Sequence, residues 1–194
     1  MDNKVTIAGV IVSNFMLDHN YCSERFYRFS LSVKRSSGTV DTIPVIVSER
    51  LMDVTKDMTG QYVFITGEFR SFKFHENNKS RILLYVFPLK VELIDTPEDI
   101  NEVIIQGVIC KEPVFRETPY GRIITDVLLT VTRGYEKWDS IPAIAWGRNA
   151  IFLSNLSAGH EIRVAGRVQS RLYNKNGITK TAYELSINLV EVVS

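Results

Sequence analysis

The hydrophobic residues of this chain mostly recur at every second position, the period of a β-strand with one buried face. Val127, Leu129 and Val131 occupy alternate positions between residues 126 and 132 and are flanked mostly by polar residues. Longer apolar segments elsewhere favour further strands. The strands predicted for the second half are 103–109, 126–132, 141–146, 161–173 and 183–192. The pattern therefore predicts a mostly β protein.

One short helix interrupts these strands. It is predicted over 149–156 and ends before Gly159, and a hairpin turn is predicted at 174–177, where Asn-Gly favours tight turns. The resulting order β-β-β-α-β-β is that of the OB-fold, a five-stranded Greek-key barrel. Another small barrel or a sandwich is the alternative. The first half follows the same order, with a short helix predicted over 50–58 and a hairpin turn at 76–79.

The two halves share this order because the chain contains a long internal repeat. The segment 3–11, NKVTIAGVI, returns as 101–109, NEVIIQGVI, and the DTIP of 41–44 returns as the DSIP of 139–142. A repeat of this length is a duplicated domain rather than a solenoid unit. We therefore predict an all-β protein of two tandem OB-fold barrels, with one short helix each. The predicted division is a first domain at 1–94, a linker at 95–100 and a second domain at 101–194.

The composition restricts the kind of partner. The formal net charge is +1, so a polyanion would have to bind to a local basic patch rather than to the bulk charge. The N-terminus has no signal-peptide pattern, and no segment approaches a membrane span, so we expect a cytoplasmic protein without membrane contact. Cys22 and Cys110 occupy unmatched places in the repeat and are expected to be free thiols.

Catalysis finds little support in the sequence. His19, His75 and His160 lie in unrelated contexts and have no metal-ligand spacing with Cys, Asp or Glu. No glycine-rich phosphate loop occurs. We expect a protein that is not an enzyme and that has neither a cofactor nor a metal.

Four segments of the second half, taken in order, carry a resemblance to a known family. They are NEVIIQG at 101–107 followed by KEP at 111–113, RETPYG at 116–121, AWGR at 145–148, and GHEIRVAGR at 159–167. This ordered set resembles bacterial single-stranded-DNA-binding proteins. The first half fits less well, with Phe15 in the place of Pro113 and Ser48 in the place of Trp146. It looks like a diverged copy.

The resemblance implies sequence-independent binding and protection of single-stranded DNA in replication, recombination or repair, with RNA as an alternative ligand. Because the family assembles four OB domains, two per chain imply a homodimer. The family's acidic tail is not expected, since the chain stops at Ser194. A bacterial nucleoid-associated protein or one encoded by a phage or mobile element is implied. The alternative function is an OB-fold protein-interaction module of a replication-accessory complex, with little DNA binding.

Single-strand binding without sequence reading needs aromatic rings that stack on bases and cations that follow phosphates. The period of two places Arg167, Gln169, Arg171 and Tyr173 on one face of a strand. Trp146, Arg148 and Tyr135 are assigned through the resemblance. The candidate nucleic-acid contacts are Arg116, Arg122, Arg133, Tyr135, Trp138, Trp146, Arg148, Arg167, Arg171, Tyr173, Lys175 and Lys180 in the second half, and Lys34, Arg35, Arg50, Arg70, Phe72, Phe74 and Arg81 in the first.

These candidates have alternative roles. Trp146 could be a core residue, Arg167 and Arg171 could form an ordinary solvated face, and the phenylalanines at 72 and 74 could form an interface. Val168 and Leu172 are predicted to point towards the core, opposite the basic face. We expect the second half to carry most of the affinity for DNA.

Overall fold

The structure is a computed structural model that describes residues 2–76, 79–134, 136–175 and 177–193, with side chains except at 75, 76, 79–81, 175 and 178. Within these ranges the chain forms twelve strands and one helix. The first half contains β1 (Asn3–Ile11), β2 (Met16–Tyr21), β3 (Glu24–Lys34), β4 (Val40–Ser48), β5 (Tyr62–Glu76) and β6 (Lys79–Ile94). The second half contains β7 (Ile100–Ile109), β8 (Val114–Glu117), β9 (Ile123–Thr132), β10 (Trp138–Trp146), α1 (Arg148–Ser154), β11 (Glu161–Lys175) and β12 (Ile178–Val192).

The strands of the second half close into a barrel. β7 pairs with both β9 and β11, β9 pairs with β10, and β11 pairs with β12, all antiparallel. The parallel pairing of β10 with β12, in which Ala143 lies opposite Leu185, completes the circle. The seven-residue α1 follows β10 and precedes β11. This arrangement is the predicted OB-fold barrel.

The first half closes in the same way. β1 pairs with β3 and with β5, β3 pairs with β4, and β6 lies beside β5. A parallel contact between β4 and β6, with Val45 opposite Val86, closes this circle too. The all-β prediction of two tandem barrels is therefore confirmed.

The barrel interiors are filled by alternate residues of the strands. Val127, Leu129 and Val131 of β9 are buried, as predicted, and they lie opposite buried Ala143, Ile141 and Asp139 of β10. Alternation of this kind is what a strand with one face on a core requires. The side chains between them on β9 and β10 point away from the core.

Gly166 allows two strands to approach each other where the second barrel turns. A Cβ atom at this position would lie 2.1 Å from the carbonyl oxygen of Ser186. The register between β11 and β12 shifts between Ala165 and Gly166, which is a β-bulge. A side chain larger than that of glycine would force the strands apart here.

Each half has one more strand than predicted. β2 and β8 are short strands that pair with β3 and β9, respectively. In the second half, residues 110–113 lie outside the strands and separate β7 from β8. Pro113 in this segment has no N–H that could donate to a neighbouring strand. The β8–β9 hairpin contains a turn over residues 118–121, in which the N–H of Gly121 donates to the carbonyl of Thr118 at 2.9 Å.

The helix predicted over 50–58 is wrong, since this segment forms turns. Asp53 accepts the backbone N–H of Thr55, and Asp57 accepts that of Thr59. Such side-chain bonds compete with helical hydrogen bonds, which is why aspartate disfavours helix interiors. The Thr55 hydroxyl also donates to Asp53 and lowers the pKa of its carboxyl group.

The contacts divide the chain into two compact units. One, the C-terminal unit, comprises Met1–Asn3, Arg70–Leu84 and Val103–Ser194, and the other, the N-terminal unit, comprises Lys4–Phe69 and Tyr85–Glu102. The outer end of the β5–β6 hairpin thus groups with the second half of the chain. Residues 95–99 lie outside the strands, and the domain division at 94 and 101 stays a prediction. No helix in the described ranges has the length and apolarity of a membrane span.

Candidate nucleic-acid interface

Both tryptophans of the chain lie on the side of β10 that points away from the core. Trp138 lies opposite Thr132, and Trp146 lies opposite Ile124. The tryptophan side chains are 61% and 38% exposed. Since a strand rises about 3.3 Å per residue, roughly 26 Å separate them along β10. The alternative of Trp146 as a core residue does not fit this exposure.

The same side of the barrel continues across the neighbouring strands. Arg116 of β8 lies opposite Ile124 of β9, which in turn lies opposite Trp146. On the other flank, Ser186 of β12 pairs with both Ile144 of β10 and Arg167 of β11. We call this side of β8, β9, β10, β12 and β11 the outer face.

The β11–β12 hairpin adds the face of Arg167, Gln169, Arg171 and Tyr173 that was predicted from the sequence, which we call the basic track. Arg171 lies opposite Ala182, and Tyr173 lies opposite Lys180, near the tip of the hairpin. Arg171 is exposed, whereas Tyr173 and Lys180 are half-buried. The outer face therefore combines tryptophan rings, a tyrosine and several cations, the mixture that stacks bases and follows phosphates.

Acidic residues share the outer face with these cations. Glu184 accepts a hydrogen bond from the Gln169 amide at 2.7 Å and lies 3.9 Å from Arg171. Asp126 pairs with Arg116 at 2.6 Å and raises the pKa of its guanidinium, with a smaller contribution from Glu184. The arrangement holds the arginines in defined positions and offsets part of their charge.

Leu172 does not point into the core, so that prediction is wrong. Its side chain is 72% exposed, while Val168, four residues earlier on the same side of β11, is fully buried. The hairpin extends beyond the barrel, so both faces of its outer part meet solvent. Gln169 is the reverse exception to the predicted alternation of buried and exposed side chains. It lies on the outer face but is buried, held there by its bond to Glu184.

Two predicted DNA contacts form ion pairs with buried carboxylates. Arg133 lies 2.8 Å from Asp139, and Arg35 lies 2.6 Å from Asp41, at the matching place of the repeat. Both aspartates are fully buried. The hydrogen bond with Asp41 raises the pKa of the Arg35 guanidinium. The arginine of such a pair is not available to bind a DNA phosphate, because separating the pair would leave a buried carboxylate charge uncompensated.

The remaining predicted residues are spread over the two units. Arg122, Arg148 and Lys34 are exposed, Arg167 and Arg70 are half-buried, and Arg50 lies 3.5 Å from Glu24. The prediction for Tyr135 falls outside the described residues, as do those for the side chains of Arg81 and Lys175. Their roles stay predictions.

Phe72 and Phe74 form a ring pair on β5, within the C-terminal unit. Their centroids are 6.5 Å apart and the ring planes differ by 11°. Phe72 is 59% exposed. The C-terminal unit thus carries a second pair of aromatic side chains.

The corresponding face of the N-terminal unit is covered by its own side chains. Phe26, Ile46 and Tyr85 are buried there in one cluster, with Phe87 packed against them. His19 stacks on Phe26 with a centroid distance of 4.8 Å. Phe26 lies opposite Ser48, which stands where the second half has Trp146. This face offers few free rings to a ligand.

Sequence reasoning missed three features of the site. Tyr120 is 91% exposed in the β8–β9 turn, where a ring between proline and glycine has no strand face on which to pack. Glu184 lies among the cations, although its place opposite Gln169 could be read from the hairpin register. Ser71 contacts Asp139 across 68 positions, and no local pattern signals such a contact. No group of three metal-ligating side chains occurs among the described residues.

Comparison with known proteins agrees with this geometry. The model of the single-strand binding protein family matches residues 100–193. The second half of the chain is therefore similar to this family. A single-stranded DNA-binding protein from Halalkalibacterium halodurans is 31% identical over 84 residues, covering 40% of this chain and 50% of that protein. Single-stranded DNA-binding protein 3 from Listeria innocua is 34% identical over 83 residues, covering 39% of this chain and 52% of that protein.

The matched region spans about half the length of these two relatives. A solved structure extends the likeness in fold to nearly the whole chain. The wild-type single-stranded DNA binding protein from Thermus aquaticus superposes with a TM-score of 0.78 at 19% identity, covering 99% of this chain and 93% of that one. The fold of both halves is therefore shared with that protein.

Proposed function

We propose that this protein binds single-stranded DNA without sequence preference, along the outer face of its C-terminal unit. The observation that carries the proposal is the placement of Trp138 and Trp146 on one face with Arg116 and Arg171. Stacking of a base on an aromatic ring is worth about 1–3 kcal/mol and tolerates any base. The arginines supply the contacts to phosphates.

The ion pairs limit which arginine and lysine side chains can contact DNA phosphates. Arg133 and Arg35 hold buried aspartates, so the phosphate contacts fall to exposed cations such as Arg116, Arg122 and Arg171. Their number is small, in keeping with a net charge of +1. Affinity then rests more on stacking than on charge, and the salt dependence is shallow. With three to five phosphates neutralised, log K falls by roughly 2–3.5 per decade of salt.

The direct test is a binding titration with a labelled dT oligomer and, in competition, with duplex DNA of the same length. The single strand should bind tightly at low salt, and the duplex should compete poorly because its bases are stacked on each other. Trp146→Ala should weaken binding, whereas Phe152→Ala on α1, which removes a ring of similar exposure away from the sheet, should not. Equal binding of duplex and single strand would contradict the proposal.

A second function is favoured for the N-terminal unit alone. The face of this unit that corresponds to the outer face is filled by Phe26, Ile46 and Tyr85. This barrel is therefore better suited to protein interaction than to base stacking. In this account the second half of the chain carries most of the affinity for DNA. Variants in the two faces, described in the Discussion, separate these roles.

The cellular role follows from the same chemistry. Coating of single strands serves replication, recombination or repair in the cytoplasm, and a homodimer would bring four barrels together on one strand. Light scattering on the purified protein tests the assembly. A mass near 44 kDa, twice the 22.1 kDa of one chain, supports a dimer. A mass of one chain at micromolar concentration rejects it.

A further inference from the structure

Ser71 joins the outer end of the β5–β6 hairpin to β10 within the C-terminal unit. Its hydroxyl donates to Asp139 at 3.0 Å and accepts the backbone N–H of Ser140 at 2.8 Å. Its own backbone N–H donates to the same carboxylate, and its carbonyl oxygen accepts from Arg133 at 3.3 Å. We call these four hydrogen bonds the Ser71 seat.

The seat is buried and therefore resists opening. Ser71 is 6% exposed, Ser140 is 3% exposed and Asp139 is fully buried. The ion pair with Arg133 compensates the charge of the carboxylate. Buried polar groups that lose their partners are costly, so the seat holds the hairpin in one position on β10.

Exposed aromatic residues are the chain neighbours of two residues of the seat. Because side chains alternate along a strand, Ser71 points into the seat while Phe72 and Phe74 point to the other side of β5. Phe72 is adjacent to Ser71 in the chain, and Trp138 is adjacent to Asp139. The hydrogen bonds therefore fix two aromatic elements on different strands, each one residue from the point of attachment.

We infer that Ser71, Asp139 and Arg133 are positioning residues that hold the Phe72–Phe74 ring pair as an extension of the binding surface beyond Trp138. A strand bound along the outer face continues onto this ring pair. Rings that are already fixed lose little conformational freedom when a base stacks on them. This inference rests on the proposed binding of single-stranded DNA and assigns Arg133 a structural task.

The test is a double-mutant cycle on the full-length protein, with dissociation constants measured for a labelled dT oligomer. Phe72→Ala alone should weaken binding about fivefold or more. Ser71→Ala alone should weaken it by a similar factor, because the ring pair is no longer held. Phe72→Ala added to Ser71→Ala should change affinity by less than about twofold. Ser154→Ala removes a serine hydroxyl that bonds within α1 and should leave affinity unchanged.

The outcomes separate this inference from the proposed function. If the wild type binds dT and the effects of Phe72→Ala and Ser71→Ala multiply, the seat does not position the rings and the inference fails. If the wild type does not bind dT at all, the proposed function fails and the inference falls with it. Arg133→Lys keeps a cation beside Asp139 but removes the guanidinium that donates to the Ser71 carbonyl. If Ser71→Ala does not fold, the same double-mutant cycle is measured with Arg133→Lys in its place. Faster amide hydrogen exchange at 70–74 in either seat variant is the accompanying structural signature.

Discussion

The amide of Gln169 donates a 2.7 Å hydrogen bond to the carboxylate of Glu184, in the middle of the outer face. The side chain of Glu184 is only 14% exposed and lies 3.9 Å from Arg171. Under the proposed function, a carboxylate at this place competes with DNA phosphates for the arginine. It should then limit the affinity for single strands while keeping Arg171 oriented.

Replacing this carboxylate should strengthen DNA binding. Glu184→Gln removes one charge and frees Arg171, and two charges about 4 Å apart interact in water by about 1 kcal/mol. We expect an increase in affinity of about fivefold and a salt dependence steeper by up to roughly 0.7 in log K per decade. Titrations with dT oligomers at several salt concentrations measure both quantities.

The control for this variant is Glu191→Gln, which removes the same charge from an exposed position on the same strand. It lies opposite Arg163, on the part of β11 before the basic track. An equal rise in affinity for both variants would show that only the net charge matters, and the account of Glu184 would be wrong.

The tip of the β11–β12 hairpin provides a matched pair of adjacent residues. Tyr173→Ala should cost about 1–3 kcal/mol of binding because it removes a stacking ring. Leu172→Ala, on the opposite side of the strand and 72% exposed, should leave binding unchanged. Neither change should lower the melting temperature by much, since both side chains lie outside the core. A lower melting temperature for Tyr173→Ala with unchanged affinity would assign that ring to packing.

Substitutions in the two barrels should affect different properties, stability in the N-terminal unit and DNA binding in the C-terminal unit. Phe26→Ala in the N-terminal unit removes a buried ring and should destabilise the protein by about 3–5 kcal/mol with little effect on DNA binding. Trp146→Ala in the C-terminal unit should weaken binding and barely change stability. Thermal melts and dT titrations on both variants check this contrast. Point variants are preferable to an isolated 101–194 fragment, because the fragment would lack Ser71 and leave Asp139 without the two hydrogen bonds that Ser71 donates. A large loss of affinity from a folded Phe26→Ala variant would refute the asymmetry.

Gly166 should not tolerate a side chain. Gly166→Ala would bring a Cβ within 2.1 Å of the Ser186 carbonyl oxygen, whereas a Cβ at Gly134 would meet nothing within 4 Å. Overpacking of this kind costs about 1–3 kcal/mol. Chemical denaturation should therefore show a lower free energy of unfolding for Gly166→Ala than for Gly134→Ala. Equal stability of the two would mean that β11 and β12 can separate at the bulge.

The barrel and its inward faces could be predicted because a buried face imposes a period of two on the sequence. Val127, Leu129 and Val131 follow this period, and they are buried. The same rule failed at Leu172, since it assumes a core on one side along the whole strand and β11 continues past the core. It also says nothing about turns, where Asp53 and Asp57 replaced a predicted helix with local hydrogen bonds.

The candidate site could be predicted only in part. Arg171 was identified from the period of two along its strand and Trp146 from the family resemblance, while Trp138 was a candidate because its residue type suits single strands. The ion pairs of Arg133 and Arg35 were missed, although an aspartate recurring at 41 and 139 inside apolar strands was a visible signal. The Ser71 seat depends on tertiary packing between distant segments, which no local pattern encodes.

The central claim is that the outer face of the C-terminal unit binds single-stranded DNA, and tryptophan fluorescence tests it most directly. The chain has two tryptophans, at positions 138 and 146, and both lie on that face. Titration with dT oligomers at low salt should quench the emission in a saturable way, and added salt should reverse the change. Unchanged tryptophan emission while DNA binding is detected by another method would contradict the account, because the strand would then lie elsewhere on the protein.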